Sequence, residues 1–567
     1  MIENLKILLK KYNIDGYIVP KNDEYFNEYI HYSEDKLKFI TNFSGSAGFA
    51  IVFKDKNYLF VDGRYTVQAN IQSGKKFKVF TYPNKYPKNV LKFKRKIILG
   101  FDPKLHTKKQ LKFLFDQKNI KLRPITTNLI NYIWANKPKE IIKPFYALSS
   151  KNTGLSFERK IKKIKNFISK NNVDYLLVTA PENSAWVLNI RGHDCAFSPI
   201  PNTRLLIGRT GKVKLFTNIK KTKKIKRILQ NEVDIYEEKK LQNIIGKLEK
   251  KIVWVDSSSC SFYYNNKLNK KNKVISRTDP IHIFKSIKNN VEITNMRKSH
   301  LIDGIALTKF LFWLKKNYKK NKITEMSAQK KLEKFRKKNS TYKFPSFDTI
   351  SGSGPNSAII HYKATEKTNR VLKEGDLYLV DSGGQYSFGT TDVTRTISLN
   401  NNSSYVKDIY TRVLKGHIAV SRFRIKKKST GSEVDFQARR FLQEKRLDYP
   451  HGTGHGVGYF LNVHEGPQSL SKNSKVFLRD GMILSNEPGY YKKNTFGIRI
   501  ENLIFIKKNK FEELTLVPIE KNLINKKILN KKEIDWINNY HKKINNNLIK
   551  FMNKNEKKYL KMACSPI

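Results

Sequence analysis

The sequence predicts an α/β protein: two α/β domains of similar build, then a mixed α+β third domain and a helical extension. Three observations carry this. A strand pattern, Asn13-Ile14-Asp15-Gly16-Tyr17-Ile18-Val19, returns as Asn172-Val173-Asp174-Tyr175-Leu176-Leu177-Val178. A helical apolar period runs through Asn290–Lys316 at Ile293, Met296, His300, Leu301, Gly304, Ile305, Thr308, Leu311 and Phe312. Two acid-bearing hairpin patterns then flank a glycine- and histidine-rich segment.

The elements follow in chain order. Each repeated strand comes after a lysine-rich amphipathic helix pattern, Leu5–Tyr12 and Phe157–Lys170. Phe39-Ile40-Thr41-Asn42-Phe43-Ser44-Gly45 matches Trp186-Val187-Leu188-Asn189-Ile190-Arg191-Gly192, and each precedes a hairpin, turning at Lys54–Asn57 and at Gly208–Gly211. Pro138 and Pro144 mark a linker, and the basic, turn-rich run Asn265–Pro280 marks a second boundary. Thr324 is a natural N-cap for a helix to about Lys338, with short strands and glycine turns expected from there to Phe505. Two tail helices are expected around Lys532–Asn547 and Leu548–Leu560. The resulting domains are 1–137, 151–280, 286–508 and 509–567.

Composition narrows the class. A chain of 567 residues is too long for one core, and 39% hydrophobic residues support globular packing. The start Met1–Lys6 has no uninterrupted apolar run, and no stretch reads as a membrane span, so a soluble chain without a secretory signal is expected. Cys195, Cys260 and Cys564 are odd in number and far apart, which fits a reducing cytoplasm better than a disulfide framework. The net charge of +63 raises polyanion binding. Its lysines, however, are spread through every segment among asparagines. That pattern implies nonspecific adhesion at low salt and no specific nucleic-acid partner.

The chemistry is concentrated in the third domain. Asp381 and Asp392 lie eleven residues apart about a glycine-rich turn near Tyr386–Ser387, and Glu487 and Glu501 are symmetric about Asn494. Paired strands would put each couple face to face, with Cβ atoms roughly 4.5–5.5 Å apart. Between them lie His451-Gly452-Thr453-Gly454-His455-Gly456-Val457-Gly458 and His464-Glu465-Gly466-Pro467. Four gathered carboxylates repel unless cations neutralise them. Oxygen-rich ligation with one or two imidazoles suits two divalent ions, roughly 3.5–4 Å apart in two-metal hydrolases. His361, on an apolar stretch read as a strand, and His464 are candidates for contact with substrate or intermediate, and His451 for the substrate pocket. Arg499, two residues before Glu501 on the same strand face, can brace the carboxylates. Ser351–Asn356 lacks the lysine-containing pattern of a phosphate loop.

Taken together these residues resemble the pita-bread metallopeptidases, and within them the three-domain cytosolic Xaa-Pro aminopeptidases. Asn42–Gly48, Val61-Asp62-Gly63-Arg64-Tyr65, Trp186–Gly192, Ser346–Asn356 and the tail Asp535–His541 share in the likeness. The resemblance implies two creatinase-like N-terminal domains followed by a pita-bread catalytic domain. It implies one metal on Asp381, Asp392 and Glu501 and a second on Asp392, His455, Glu487 and Glu501, with manganese the usual ion. A hydroxide bridging the metals would attack the first carbonyl of a peptide beginning Xaa-Pro. Glu487 would shuttle the proton, and His361 and His464 would steady the intermediate. Arg64 is similar to a first-domain arginine that reaches the substrate cleft, with a turn salt bridge to Asp62 as the competing reading. A homodimer is implied as well. The alternatives are an Xaa-Pro dipeptidase, or a non-catalytic scaffold binding polyanions or proteins.

Overall fold

The computed structural model describes residues 1–140, 142–400 and 402–567. It divides into two compact units, Met1–Ser150 with Leu155–Ile281, and Lys151–Gly154 with His282–Ile567.

The first unit contains the same sheet twice. Numbered in chain order within each half, both six-stranded sheets run fourth–third–second–first–fifth–sixth. Pairing directions repeat too. The first strand is antiparallel to the second and parallel to the fifth in each, as in Gly16–Pro20 with Gly48–Phe53 and with Ile97–Phe101. The repeated sequence motif has a physical role. The helix Lys36–Thr41 ends on Asn42 at φ 61°, and Pro181–Leu188 ends on Asn189 at φ 52°. Asparagine tolerates this left-handed position, which reverses the chain into the next strand. The helix Phe157–Lys170 buries Phe157, Ile161, Ile164 and Ile168, spaced as one helical face. The first helix is Ile2–Lys11, starting earlier than its apolar pattern suggested, and it buries Leu5 and Leu9. The run read as a boundary, 265–280, instead contains the end of the helix Phe262–Asn269 and the sixth strand, Lys273–Arg277. Its lysines cluster where the helix gives way to that edge strand, Lys267 in the helix, Lys270 and Lys271 after it and Lys273 at the strand's start.

The second unit is led by the helix Asn290–Asn317, capped by Asn289 and Glu292 reciprocally. Thr324 accepts from the Ser327 N–H and starts Glu325–Arg336, as its residue type predicts. Two long helices replace part of the region expected to be strands and turns, Ser404–Ser421 and Gly431–Gln443. Ile409, Tyr410, Val413, Leu414 and Ile418 are buried at helical spacing in the first. The tail helices are Lys531–Leu548 and Lys554–Ala563. The second therefore starts later than expected, where Asn553 caps it by accepting from the Glu556 N–H. Ile537, Tyr540, Ile544, Leu548 and Leu560 join Ile409, Leu414 and Ile498 in one core cluster. Among the described residues no helix is long and apolar enough to cross a membrane.

Candidate metal centre

The first acid hairpin is shifted from the expected register. Leu377–Ser382 pairs antiparallel with Val393–Ser398, and Asp381 lies opposite Thr394. Beyond the crossing, Gln385 pairs with Thr390 and Tyr386 with Gly389, which centres the turn between Ser387 and Phe388. Asp392 is thus one diagonal step from Asp381, not directly opposite. The two-residue side-chain period keeps both carboxylates on one face. A Cβ on Gly383 would lie 1.9 Å from the Thr391 carbonyl oxygen, so only glycine permits the strands to cross this closely beside the acids.

The second hairpin has the predicted symmetry. Asn486 lies opposite Asn502 and Gly489 opposite Arg499, both about Asn494, which takes φ 57° at the turn. Between these two ladders the Ile500 N–H donates to the Pro488 carbonyl at 3.3 Å, Pro488 has no N–H to return, and the glutamates on either side bond outwards. The Glu487 N–H donates to the Thr453 carbonyl at 2.8 Å, and the Glu501 N–H donates to the Thr394 carbonyl at 3.1 Å. One glutamate is stitched to the histidine segment and the other to the first hairpin. These outward bonds bring four acids to one place.

The side chains complete the cluster. His455 Nε2 lies 3.5 Å from Asp392 Oδ2 and 3.3 Å from Glu487 Oε1. Its Nδ1 faces the Gly456 carbonyl at 3.0 Å, which turns Nε2 toward the carboxylates. Ser485 hydroxyl accepts from the His455 N–H and donates to Glu487 Oε1. Thr394 hydroxyl donates to Glu501 Oε2 at 2.8 Å. Arg499 Nη2 donates to Asp381 Oδ2 at 2.6 Å, Nη1 to the Tyr491 hydroxyl at 2.6 Å and Nε to Thr394 Oγ1 at 3.2 Å. Donor atoms of Asp392, His455 and Glu501 all fall within 4.8 Å of one another, close enough to share one cation.

The electrostatics show crowding. Burial pushes the Asp381 carboxyl up to about 6; Arg499 opposes the rise, and the charges of Asp392 and Glu487 add to it. Burial holds Glu501 well above the carboxylate range, reinforced by Asp392, Asp381 and Glu487. Glu487 is raised by burial against the pull of His455 and Arg499. Burial by itself would lower His455, but the hydrogen bond to Asp392 and the charge of Glu487 outweigh it and place it at about 9. Protons are one way to relieve such a cluster, and divalent cations are the other. Asp381, Asp392 and Glu501 are buried, while Glu487 and His455 keep partial exposure. Asp381 Oδ1 is buried with no hydrogen-bond partner, an acceptor without a donor inside the cluster.

The remaining candidates divide. His464 packs edge-on against His455, ring centroids 4.3 Å apart. His451 Nε2 lies 2.9 Å from the Tyr491 hydroxyl, so it is joined through Tyr491 and Arg499 to Asp381. His361 lies in a turn, not on a strand, because Gly354–Ala358 coils into a short helical turn just before it. The adjacent Ile360 carbonyl accepts from Arg499 Nη2 at 3.4 Å. Arg64 is in the N-terminal unit, where its Nε donates to Asp62 Oδ1 at 2.7 Å. Sequence reasoning missed Thr394, Ser485, Tyr491 and Glu325. Glu325 is buried and accepts from Ser353 N–H, Tyr362 hydroxyl and Arg370 N–H, which fixes the loop carrying His361. Tyr491 was readable, since symmetry about Asn494 places it one diagonal step from Arg499.

The profile of metallopeptidase family M24 matches residues 294–508, and that of the C-terminal region of peptidase M24 matches 508–567. Creatinase/prolidase N-terminal domain profiles match 1–131 and 136–292. Xaa-Pro aminopeptidase 1 of Dictyostelium discoideum is 35% identical, over 98% of this chain and 93% of that protein. A probable Xaa-Pro aminopeptidase P of Coprinopsis cinerea is 34% identical, over 95% and 93%. The crystal structure of X-prolyl aminopeptidase from Caenorhabditis elegans, described as a cytosolic enzyme with a di-nuclear active site, superposes with a TM-score of 0.92 at 30% identity, covering 98% of this chain and 95% of that one. Prolidase from Pyrococcus horikoshii gives a TM-score of 0.53 at 28% identity, covering 64% of this chain and 99% of its own.

Proposed function

The chain belongs to metallopeptidase family M24, and on that premise we propose that it removes the first residue from peptides whose second residue is proline. The observation that carries this reading is the cluster of Asp381, Asp392, His455, Glu487 and Glu501 in a chain similar to Xaa-Pro aminopeptidases along nearly its whole length.

The donor set fits two divalent cations. Asp381, Asp392 and Glu501 would hold one; Asp392, His455, Glu487 and Glu501 would hold the other, with Asp392 and Glu501 shared. The partnerless Asp381 Oδ1 and the close donor atoms of Asp392, His455 and Glu501 support that division. Carboxylates with a single imidazole suit manganese. When bound, such ions supply the positive charge that polarises the scissile carbonyl and acidifies the attacking water.

The chain's own residues do the rest. Glu487, anchored through Oε1 by Ser485 and partly exposed, takes the water's proton and returns it to the leaving proline nitrogen. His361 and His464 donate to the oxygen that becomes negative at the tetrahedral centre. His451 lines the proline pocket, its ring fixed by the Tyr491 hydroxyl and by the Gly452 carbonyl at Nδ1. Arg499 keeps Asp381 ionised and oriented. The three thiols are unpaired, which suits a reducing cytosol.

The test is hydrolysis of an Arg-Pro-Pro peptide against Ala-Pro dipeptide, with manganese added. Release of free arginine from the longer peptide supports the proposal. Preference for the dipeptide would make the chain a prolidase, and no cleavage of either would leave a binding scaffold.

A further inference from the structure

The C-terminal helices carry no role in the chemistry above, yet their side chains end on the back of the metal strands. Arg395 is fully buried. Its Nη1 donates to the carbonyls of Thr394 at 2.8 Å and Glu501 at 2.7 Å. Its Nε donates to the Pro518 carbonyl at 3.0 Å. Its Nη2 reaches Asn502 Oδ1 at 2.9 Å, the Val517 carbonyl at 2.6 Å and the Tyr540 hydroxyl at 3.0 Å. All six acceptors are uncharged oxygens. Ion pairing therefore does not explain this guanidinium; its forked geometry does, because no other side chain offers five donors in one plane.

Two of those acceptors matter for the site. Thr394 and Glu501 form a joint between the two acid hairpins, since the Glu501 N–H donates to the Thr394 carbonyl. Thr394 also holds Glu501 Oε2 through its hydroxyl. One planar group thus fixes the backbone of the residue bearing the carboxylate and of the residue orienting it. The remaining acceptors, apart from Asn502, lie in the tail. On the same tail helix, Trp536 stacks on Tyr540 with centroids 5.2 Å apart and meets the His417 ring edge-on at 5.8 Å. His417 Nδ1 in turn faces the Asn486 carbonyl at 3.1 Å, beside Glu487. Both glutamate strands are backed by one helix.

We propose that Arg395 is a positioning residue, and that through it Tyr540 and the C-terminal helices set the divalent-metal affinity of the Glu501 carboxylate. The inference rests on the metal-centre reading above. A ligand must be held within about 0.5 Å of its productive place, and loss of a group that orients a ligand typically weakens metal binding about 10–100-fold. The clamp cannot be made by lysine, which keeps the charge but loses the fork.

The experiment is calorimetric titration of the metal-stripped full-length protein with Mn²⁺, alongside the melting temperature of the metal-free form. Arg395→Lys is expected to weaken Mn²⁺ binding about 10–100-fold. Tyr540→Phe, which removes one of three acceptors on Nη2, is expected to weaken it about threefold to tenfold while remaining folded. A purely structural role would lower the metal-free melting temperature and leave Mn²⁺ affinity at the parental value. Folded Arg395→Lys with parental affinity would overturn the inference. If Arg395→Lys does not fold, parental affinity in Tyr540→Phe would overturn it. A parent protein that binds no Mn²⁺ would overturn the metal-centre reading and this inference together; a parent that binds while both variants bind equally well overturns the inference alone.

Discussion

The two units differ in their treatment of buried charge at one cluster of acids. In the N-terminal unit buried acids are matched within the chain, some by a cation and others, such as Asp23 and Asp102, by hydrogen bonds from Asn27 and Asn128. Asp194 lies 2.8 Å from Lys221 Nζ, both side chains almost fully buried, and buried Arg204 pairs with Glu238. In the second unit the same balance holds away from the site, as in Asp303 with Arg336 and Asp435 with Arg439. Buried Glu325 is held by neutral donors alone, and at the acid cluster the balance fails. Asp381, Asp392, Glu487 and Glu501 share one guanidinium, Arg499, and one imidazole, His455. A fold able to match buried charges elsewhere leaves a local surplus of negative charge here, and a surplus of that kind is a site for cations.

The largest expected effect comes from cutting into that surplus. Asp392→Asn keeps the shape of the side chain but takes a charge from both proposed ions, so activity should vanish and metal content fall. Near-normal turnover with two metals bound would break the contrast between the units. Glu487→Gln separates ligation from proton transfer. It should retain the fold and some metal while kcat drops at least about a hundredfold, within the roughly 10²–10⁴ typical of general acid–base catalysis. His361→Ala should keep both metals and lose roughly 10²–10³ in rate, measured by steady-state kinetics beside elemental analysis. Loss of metal in that variant, with full activity in Glu487→Gln, would reverse the assigned roles.

Asp194→Asn is the corresponding change in the balanced unit. It should lower stability in denaturant by up to about 3–5 kcal/mol, as expected when one member of a buried pair is removed, and leave metal content untouched. A metal loss there would mean the surplus is not local. The smallest effect concerns His541, which avoids charge instead of matching it. Burial pushes it down to about 3, with Lys521 and Arg395 adding to the fall, and its Nε2 accepts from the Ile519 N–H. Its unfolded value is about 6.5, so the unfolded chain takes up the proton first. The stability it contributes is complete above about pH 6.5 and declines as pH falls towards about 3. His541→Gln should flatten that part of the stability–pH curve without changing metal affinity. An unchanged slope would remove His541 from the account.

The sequence-based reading succeeded where a local pattern had a local cause. The repeat that carries Asn42 and Asn189 reported two left-handed helix caps, and the two halves form sheets of identical strand order. Symmetry about Asn494 placed Glu487 and Glu501 correctly because a single left-handed residue sets that turn. The first hairpin was misjudged by one residue. Its register is set by the Gly383 crossing against Thr391, a contact between strands that neighbouring residue types do not announce. The helices Ser404–Ser421 and Gly431–Gln443 differ from the strands expected there, because glycines and acids on both sides resemble turns while the buried positions within keep helical spacing. Thr394 and Ser485 were not legible. Their importance comes from bonding across chain separations of 107 and 30 residues, to Glu501 and to the His455 backbone.

The most direct test of the central claim is to count divalent metal per chain while following cleavage of the Arg-Pro-Pro peptide. The account predicts two ions per chain, with arginine release lost on chelation and restored by manganese. A metal-stripped protein that kept full activity, or a chain that bound no divalent ion at the Asp392–Glu501 cluster, would contradict it.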